Sequence, residues 1–155
     1  MARSSIWGLF ILLVTVFSCN SNVLFEEHIV FDYGWHKDSA AVFDVALNDT
    51  TLVMDFILTF KHTDNYPYSN LWLFNSIYDF NNTNLQTDTI DLFIASPTGQ
   101  WFGKKQGGVY NVSTYYRNNV KMAATGNYKF SFRQGMRVNN LEDIKEVTFK
   151  IINAQ

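Results

Sequence analysis

From Leu52 to Lys61 the chain alternates without a break, with Leu52, Met54, Phe56, Leu58 and Phe60 set between Val53, Asp55, Ile57, Thr59 and Lys61. A period of two cannot line one side of a helix, but it sends every second side chain to one face of a β-strand. This segment therefore reads as a strand with one face in a core, and the remainder of the chain has to supply the other walls of that core.

The same signature returns at Ala41, Phe43, Val45 and Leu47, at Ile90, Leu92 and Ile94, at Tyr128, Phe130 and Phe132, and at Val147, Phe149 and Ile151. Turn residues separate these runs: Asn48-Asp49, Pro97-Thr98-Gly99 and Thr125-Gly126-Asn127. A first strand is predicted over Ile29 to Trp35. Asn48-Asp49, whose short polar side chains tolerate positive φ, is expected to close a hairpin from the strand ending at Leu47 into Thr51 to His62. The polar block Asp79 to Asp88 reads as a loop, Gly99 to Gly108 as a mobile loop, and Gln134 to Asp143 as a connection with room for one helical turn. Short strands at this spacing predict an all-β fold, an antiparallel β-sandwich of jelly-roll type with roughly eight strands.

The stretch Asn65-Tyr-Pro-Tyr-Ser-Asn-Leu-Trp-Leu-Phe74 joins two of these strands in the manner of a sandwich connection. Pro67 fixes one backbone angle between Tyr66 and Tyr68, which holds the two rings in a set relation to Trp72. Leu71, Leu73 and Asn75 share one strand face, and Trp72, Phe74 and Tyr78 lie close to the other. Two apolar faces suit either a central strand covered on both sides or one whose aromatic face is reserved for a partner. Trp101 either plugs the end of the sandwich or is presented outward. Tyr66, Tyr68, Trp72 and Trp101 are therefore the candidate partner or ligand surface, and closure of one end of the core is the alternative role for the two tyrosines.

The beginning of the chain carries targeting information. Arg3 supplies a positive start, Ile6 to Phe17 is an apolar run, and Val16-Phe17-Ser18-Cys19 ends it with a small residue directly before a cysteine. This is the pattern of a bacterial lipoprotein signal peptide. The run is too short to cross about 30 Å of hydrocarbon as a helix. Residues 1–18 are expected to be removed, Cys19 to receive the lipid, residues 19–28 to act as a lipidated tether, and residues 29–155 to form the sandwich domain. Cys19 is the only cysteine, so no disulfide can form within the chain. The anchor is expected to place the protein in the cell envelope, on a membrane.

Removing residues 1–18 takes away Arg3 and no acidic residue, which leaves a mature chain more acidic than the formal −2 of the full sequence. That charge excludes a nucleic-acid footprint. The Gly99–Gly108 segment lacks a Gly-Lys-Ser/Thr and leads into strand-like Val109-Tyr110-Asn111, so it has no helix N-terminus with which to hold a phosphate. His28, His36 and His62 fall on separate elements without metal-ligand spacing and read as surface or turn histidines. No serine sits in a nucleophile elbow, and Asp88 and Asp91 point to opposite strand faces. The residues thus predict no catalytic site, no metal and no cofactor.

Three segments behind the lipid-attachment pattern carry a resemblance: Asn65 to Phe74, Gly99-Gln-Trp-Phe-Gly103, and Gln134-Gly-Met-Arg137 before Leu141 to Ile151. In order and spacing they resemble the gliding motility lipoprotein family GldH. The resemblance implies an envelope lipoprotein of a Gram-negative gliding bacterium, without enzymatic activity. It would be a structural or assembly part of a motility apparatus coupled to adhesin secretion, with membrane lipid and other apparatus proteins as partners. Only Cys19 has a role that the resemblance transfers. A lipid-anchored carbohydrate-binding module is the alternative, in which the same tyrosines and tryptophans would stack on sugar rings.

Overall fold

The computed structural model describes residues 22–154, so the signal peptide and Cys19 lie outside the described residues. The strands are β1 (Val23–Val30), β2 (Trp35–His36), β3 (Ala41–Leu47), β4 (Met54–Thr63), β5 (Asn70–Tyr78) and β6 (Asn84–Phe93). They continue with β7 (Lys104–Gln106), β8 (Val109–Val120), β9 (Gly126–Gln134), β10 (Asn140–Leu141) and β11 (Ile144–Asn153). One sheet has the order β1-β11-β4-β8-β7, the facing sheet has the order β3-β9-β5-β6, and β10 pairs with β2.

Among the described residues eleven strands are present where roughly eight were expected from the periodicity. The three additional ones, β2, β7 and β10, span two or three residues, too few to display a period. The eight longer strands pair first with last (β1 with β11), second with seventh (β3 with β9), third with sixth (β4 with β8) and fourth with fifth (β5 with β6), all antiparallel. That nesting is a long hairpin rolled up on itself, the jelly-roll arrangement.

Rolling corrects several local expectations. Asn48-Asp49 closes no hairpin, because β3 and β4 belong to opposite sheets and the loop between them crosses the sandwich. The first strand begins at Val23 rather than Ile29, pairing with β11 from Ile152 to Glu146, so most of the expected tether is edge strand. Only one flank of β1 is paired and its exposure follows no regular alternation, so the periodicity passes over it. The expected loop Asp79 to Asp88 is a turn over 79–83 followed by β6, whose polar residues suit an exposed edge strand. Gly99 to Gly108 contains β7, which turns through Gly107 and Gly108, both at positive φ, to pair with β8. The segment from Gln134 to Asp143 holds β10 and no helical turn.

The core lies between the two sheets. β4 buries Met54, Phe56, Leu58 and Phe60 on one face, as the alternation requires, and β9 buries Tyr128, Phe130 and Phe132 opposite. Phe149 is the hub of this layer. Its ring centroid lies 4.9 Å from Phe130, 5.5 Å from Phe132, 5.6 Å from Phe43 and 5.8 Å from both Phe25 and Phe56. Rings from β1, β3, β4, β9 and β11 thus meet at a single side chain, in the offset and edge-on geometries that aromatic quadrupoles favour.

The strand directions define two ends. Val23, the loop 48–53, the turn 79–83, the loop 121–125 and Asn153 gather at one end. The connections 31–40, 64–69, 94–103 and 135–143 gather at the other.

Candidate functional site

The four aromatic residues singled out in the sequence all belong to the second end, but they divide between two structures. Tyr66 is only 2% exposed and its hydroxyl donates to the Asn70 carbonyl at 3.0 Å. Burial pushes that phenol far above its ordinary pKa, and neighbouring Tyr68 adds to the rise. Trp101 is half-buried and packs edge-on against His62, with centroids 4.7 Å apart, while Tyr110 stacks on His62 at 5.4 Å. Tyr66, Trp101, Tyr110 and His62 therefore form an aromatic plug that closes the end of the core.

His62 is a correction to the expectation of a surface or turn histidine, because it is fully buried. It continues the inward parity of Met54 to Phe60 by one more step, which is the signal that would have found it. Its Nδ1 donates to the Thr63 carbonyl at 2.9 Å, and its Nε2 is buried without a hydrogen-bond partner. Burial holds the imidazole below its ordinary pKa of 6.5, against the opposing pull of the Thr63 bond and the Asp64 and Asp143 carboxylates. A histidine whose folded pKa is depressed binds fewer protons folded than unfolded, so its contribution is full above pH 6.5 and is lost as pH falls below it. The expected result is a decline in unfolding free energy as pH is lowered from 7.5 to 5, flattened in His62→Phe, which keeps a ring between Trp101 and Tyr110. Parallel stability–pH curves for the two proteins would contradict this assignment.

The second structure is a groove on the outer face of the β3-β9-β5-β6 sheet. Trp72 and Phe74, on the outward parity of β5, are 42% and 45% exposed, and Phe93 on β6 is 66% exposed. Of the two readings of β5 left open by the sequence, an uncovered aromatic face is the one observed. Tyr68, Asn70, Trp72, Gly135, Met136 and Arg137 line a hollow of about 440 Å³. A neighbouring hollow of about 310 Å³ shares Gly135 and Met136 and adds Lys37, Asp38, Phe74, Arg133 and Gln134. Tyr68 links the two structures, since its ring meets Tyr66 edge-on with centroids 5.6 Å apart.

The loop that walls the groove is held by the backbone and by one buried amide. Gly135 N–H donates to the Trp72 carbonyl at 2.7 Å, and the Trp72 N–H donates to the Met136 sulfur at 3.3 Å. Gln134, almost fully buried, accepts from the Met136 N–H at 2.8 Å and donates to the Val138 carbonyl at 3.0 Å. A Cβ at Gly135 would come within 3.1 Å of the Phe74 ring, so glycine is what lets that ring lie over the loop.

The groove is also where unpaired positive charge collects. Lys61, Lys105, Arg117 and Lys150 are ion-paired with Glu146, Asp64, Asp88 and Glu26. Lys37, Arg133 and Arg137 are exposed, and no acidic side chain among the described residues pairs with them. The nearby carboxylate of Asp91 accepts from the Asn70 amide at 2.7 Å. Met136 and the three cations escaped the sequence reading as site residues, because they reach this surface from a strand end and two loops far from Trp72 in the chain, whereas Phe74 was legible on the Trp72 face of β5.

Among the described residues no three His, Cys, Asp or Glu side chains converge as a metal site would require. The arrangement offers a binding surface, with aromatic and thioether groups beside exposed cations.

Comparison with known proteins agrees with the family resemblance stated above. The chain is 32% identical over 157 residues to the "Gliding motility lipoprotein GldH homolog" of Christiangramia forsetii, covering 95% of this chain and 96% of that protein. It is 30% identical over 145 residues to the "Gliding motility lipoprotein GldH" of Flavobacterium johnsoniae, covering 89% of each. Among solved structures, the VP2 subviral particle of infectious bursal disease virus aligns with 83% of this chain and 32% of that chain, at 16% identity and a TM-score of only 0.31. The GldH lipoprotein family matches residues 23–151, from the first strand into the last, and this chain belongs to that family.

Proposed function

We propose that this protein is a membrane-anchored lipoprotein serving as a structural or assembly component of a gliding motility apparatus coupled to adhesin secretion. Its role is docking rather than catalysis, and the Trp72–Met136–Arg137 groove is the surface that a protein partner of the apparatus occupies. The observation that carries this reading is the pairing of exposed Trp72 and Phe74 with unpaired Arg133 and Arg137 on a braced sheet face. Tryptophan and arginine are the residue types most often found as interface anchors, and a surface that is already rigid loses little entropy on binding.

The experiment is crosslinking and co-purification from the native host, comparing the natural protein with Trp72→Ser/Arg137→Glu. Both side chains are exposed, so the double variant is expected to lose about 1 kcal/mol of stability or less. It should remain anchored while losing its crosslinked motor or secretion partners and the cells' gliding. A stable, correctly localised and fully motile variant would remove the groove from the function.

The carbohydrate-binding alternative has one specific observation in its favour, the Asn70–Asp91 pair beside the Trp72 ring. Planar polar groups at the edge of an exposed indole suit sugar hydroxyls. Recovery of the natural protein with polysaccharide alone, and with no apparatus protein, would select that reading.

A further inference from the structure

Asn22, the first described residue, has its carbonyl bonded to the Asn153 N–H at 2.8 Å, at the open end of the β1–β11 pair. Only Asn20 and Ser21 separate it from Cys19 in the sequence. Three peptide steps span at most about 11 Å, little more than the headgroup layer of one leaflet. A domain whose strands are about 30 Å long cannot swing freely on such a leash.

The leash alone would still allow the domain to lie on its β1 flank, and charge opposes that. Along β1 the exposed Glu26 is already ion-paired with Lys150, but the exposed Glu27 has no basic partner among the described residues, and laying that edge down would press its carboxylate against lipid phosphates. The end around Asn22 is different in character. Phe80, at the turn between β5 and β6, is 68% exposed, and Leu24 is 42% exposed. Lys121, on the loop after β8, is exposed and has no acidic partner among the described residues. The loops at this end also carry two carboxylates, which cap turns and stay anionic: Asp49 accepts from the Thr51 N–H at 2.7 Å, and Asp79 accepts from the N–H groups of Asn81 and Thr83 at 2.9 and 2.8 Å. It is therefore the apolar tip and the short leash, and not net charge, that favour this end. An aromatic tip, an exposed leucine and a free lysine are what an interfacial surface presents to headgroups.

We infer that the sandwich stands end-on upon its membrane, with the loop 48–53, the turn 79–83 and the loop 121–125 against the lipid headgroups. The Trp72 groove is then held at the far end, roughly a strand length of about 30 Å from the lipid. This rests on lipid attachment at Cys19, and the test separates the two.

The lipidated protein is purified with single labelling sites at Thr50→Cys, Asn81→Cys or Tyr33→Cys, since its one natural cysteine carries the lipid. Each is labelled with a fluorophore and reconstituted into phosphatidylethanolamine–phosphatidylglycerol vesicles containing a headgroup nitroxide lipid. Quenching at Thr50 and Asn81 is expected to be several-fold stronger than at Tyr33. A long flexible Gly/Ser insertion between Ser21 and Asn22 should erase the difference. Flotation is scored first: natural protein that does not float with the vesicles overturns the anchor. Protein that floats with equal or reversed quenching at the two ends overturns the orientation alone, and a difference that survives the insertion overturns the short leash as its cause.

Discussion

Phe149→Ala is expected to destabilise the domain by about 3–5 kcal/mol, the range for deleting a fully buried ring from a core. The side chain is completely buried, and rings of Phe25, Phe43, Phe56, Phe130 and Phe132 converge on it. Its neighbours stand on paired strands of both sheets, so they cannot collapse into the space without breaking ladder hydrogen bonds. The cost should therefore fall toward the upper part of that range. Urea unfolding of the mature protein measures it, with Tyr115→Ala as the comparison, since Tyr115 is exposed and its loss should cost under about 1 kcal/mol. A loss for Phe149→Ala no larger than that for Tyr115→Ala would mean that this layer is not the core.

The second large effect concerns location rather than stability. Cys19→Ala is expected to abolish incorporation of labelled palmitate and to move the protein from the membrane to the soluble fraction, with its urea midpoint unchanged. Each buried methylene contributes about 0.8 kcal/mol to membrane binding, so losing two or three acyl chains removes essentially all of the attachment. The residues packed into the core begin at Phe25, so folding should not register the change. Continued labelling and membrane association of the variant would exclude Cys19 as the lipid site.

Acidification supplies a further contrast between the two ends of the molecule. The His62 plug should weaken below pH 6.5 because its imidazole is buried and neutral, whereas the opposite end contains no histidine among the described residues. Stability loss that flattens with His62→Phe therefore reports on the end that carries the groove.

What the sequence by itself determined is the assignment of faces. A strand's side chains alternate strictly, so the parity of Met54 to Phe60, of Tyr128 to Phe132 and of Val147 to Ile151 was enough to place those residues inside. It also placed Trp72 and Phe74 together on the face opposite Leu71 and Leu73. The same parity placed Asn75 on the buried face with Leu71 and Leu73, and followed one step further along β4 it would have buried His62, where polarity argued otherwise. Strand partners were beyond its reach, because pairing is a contact between distant segments and leaves no local pattern. Leu47 and Met54 are close enough in sequence for a hairpin, yet the first-with-last nesting sends them to opposite sheets. The start of the first strand at Val23, the separation of Tyr66 from Trp72, and the meeting of Lys37, Arg133, Met136 and Arg137 around two aromatic rings were decided by the same nesting. They depend on which ends of the strands come together, and only the rolled chain determines that.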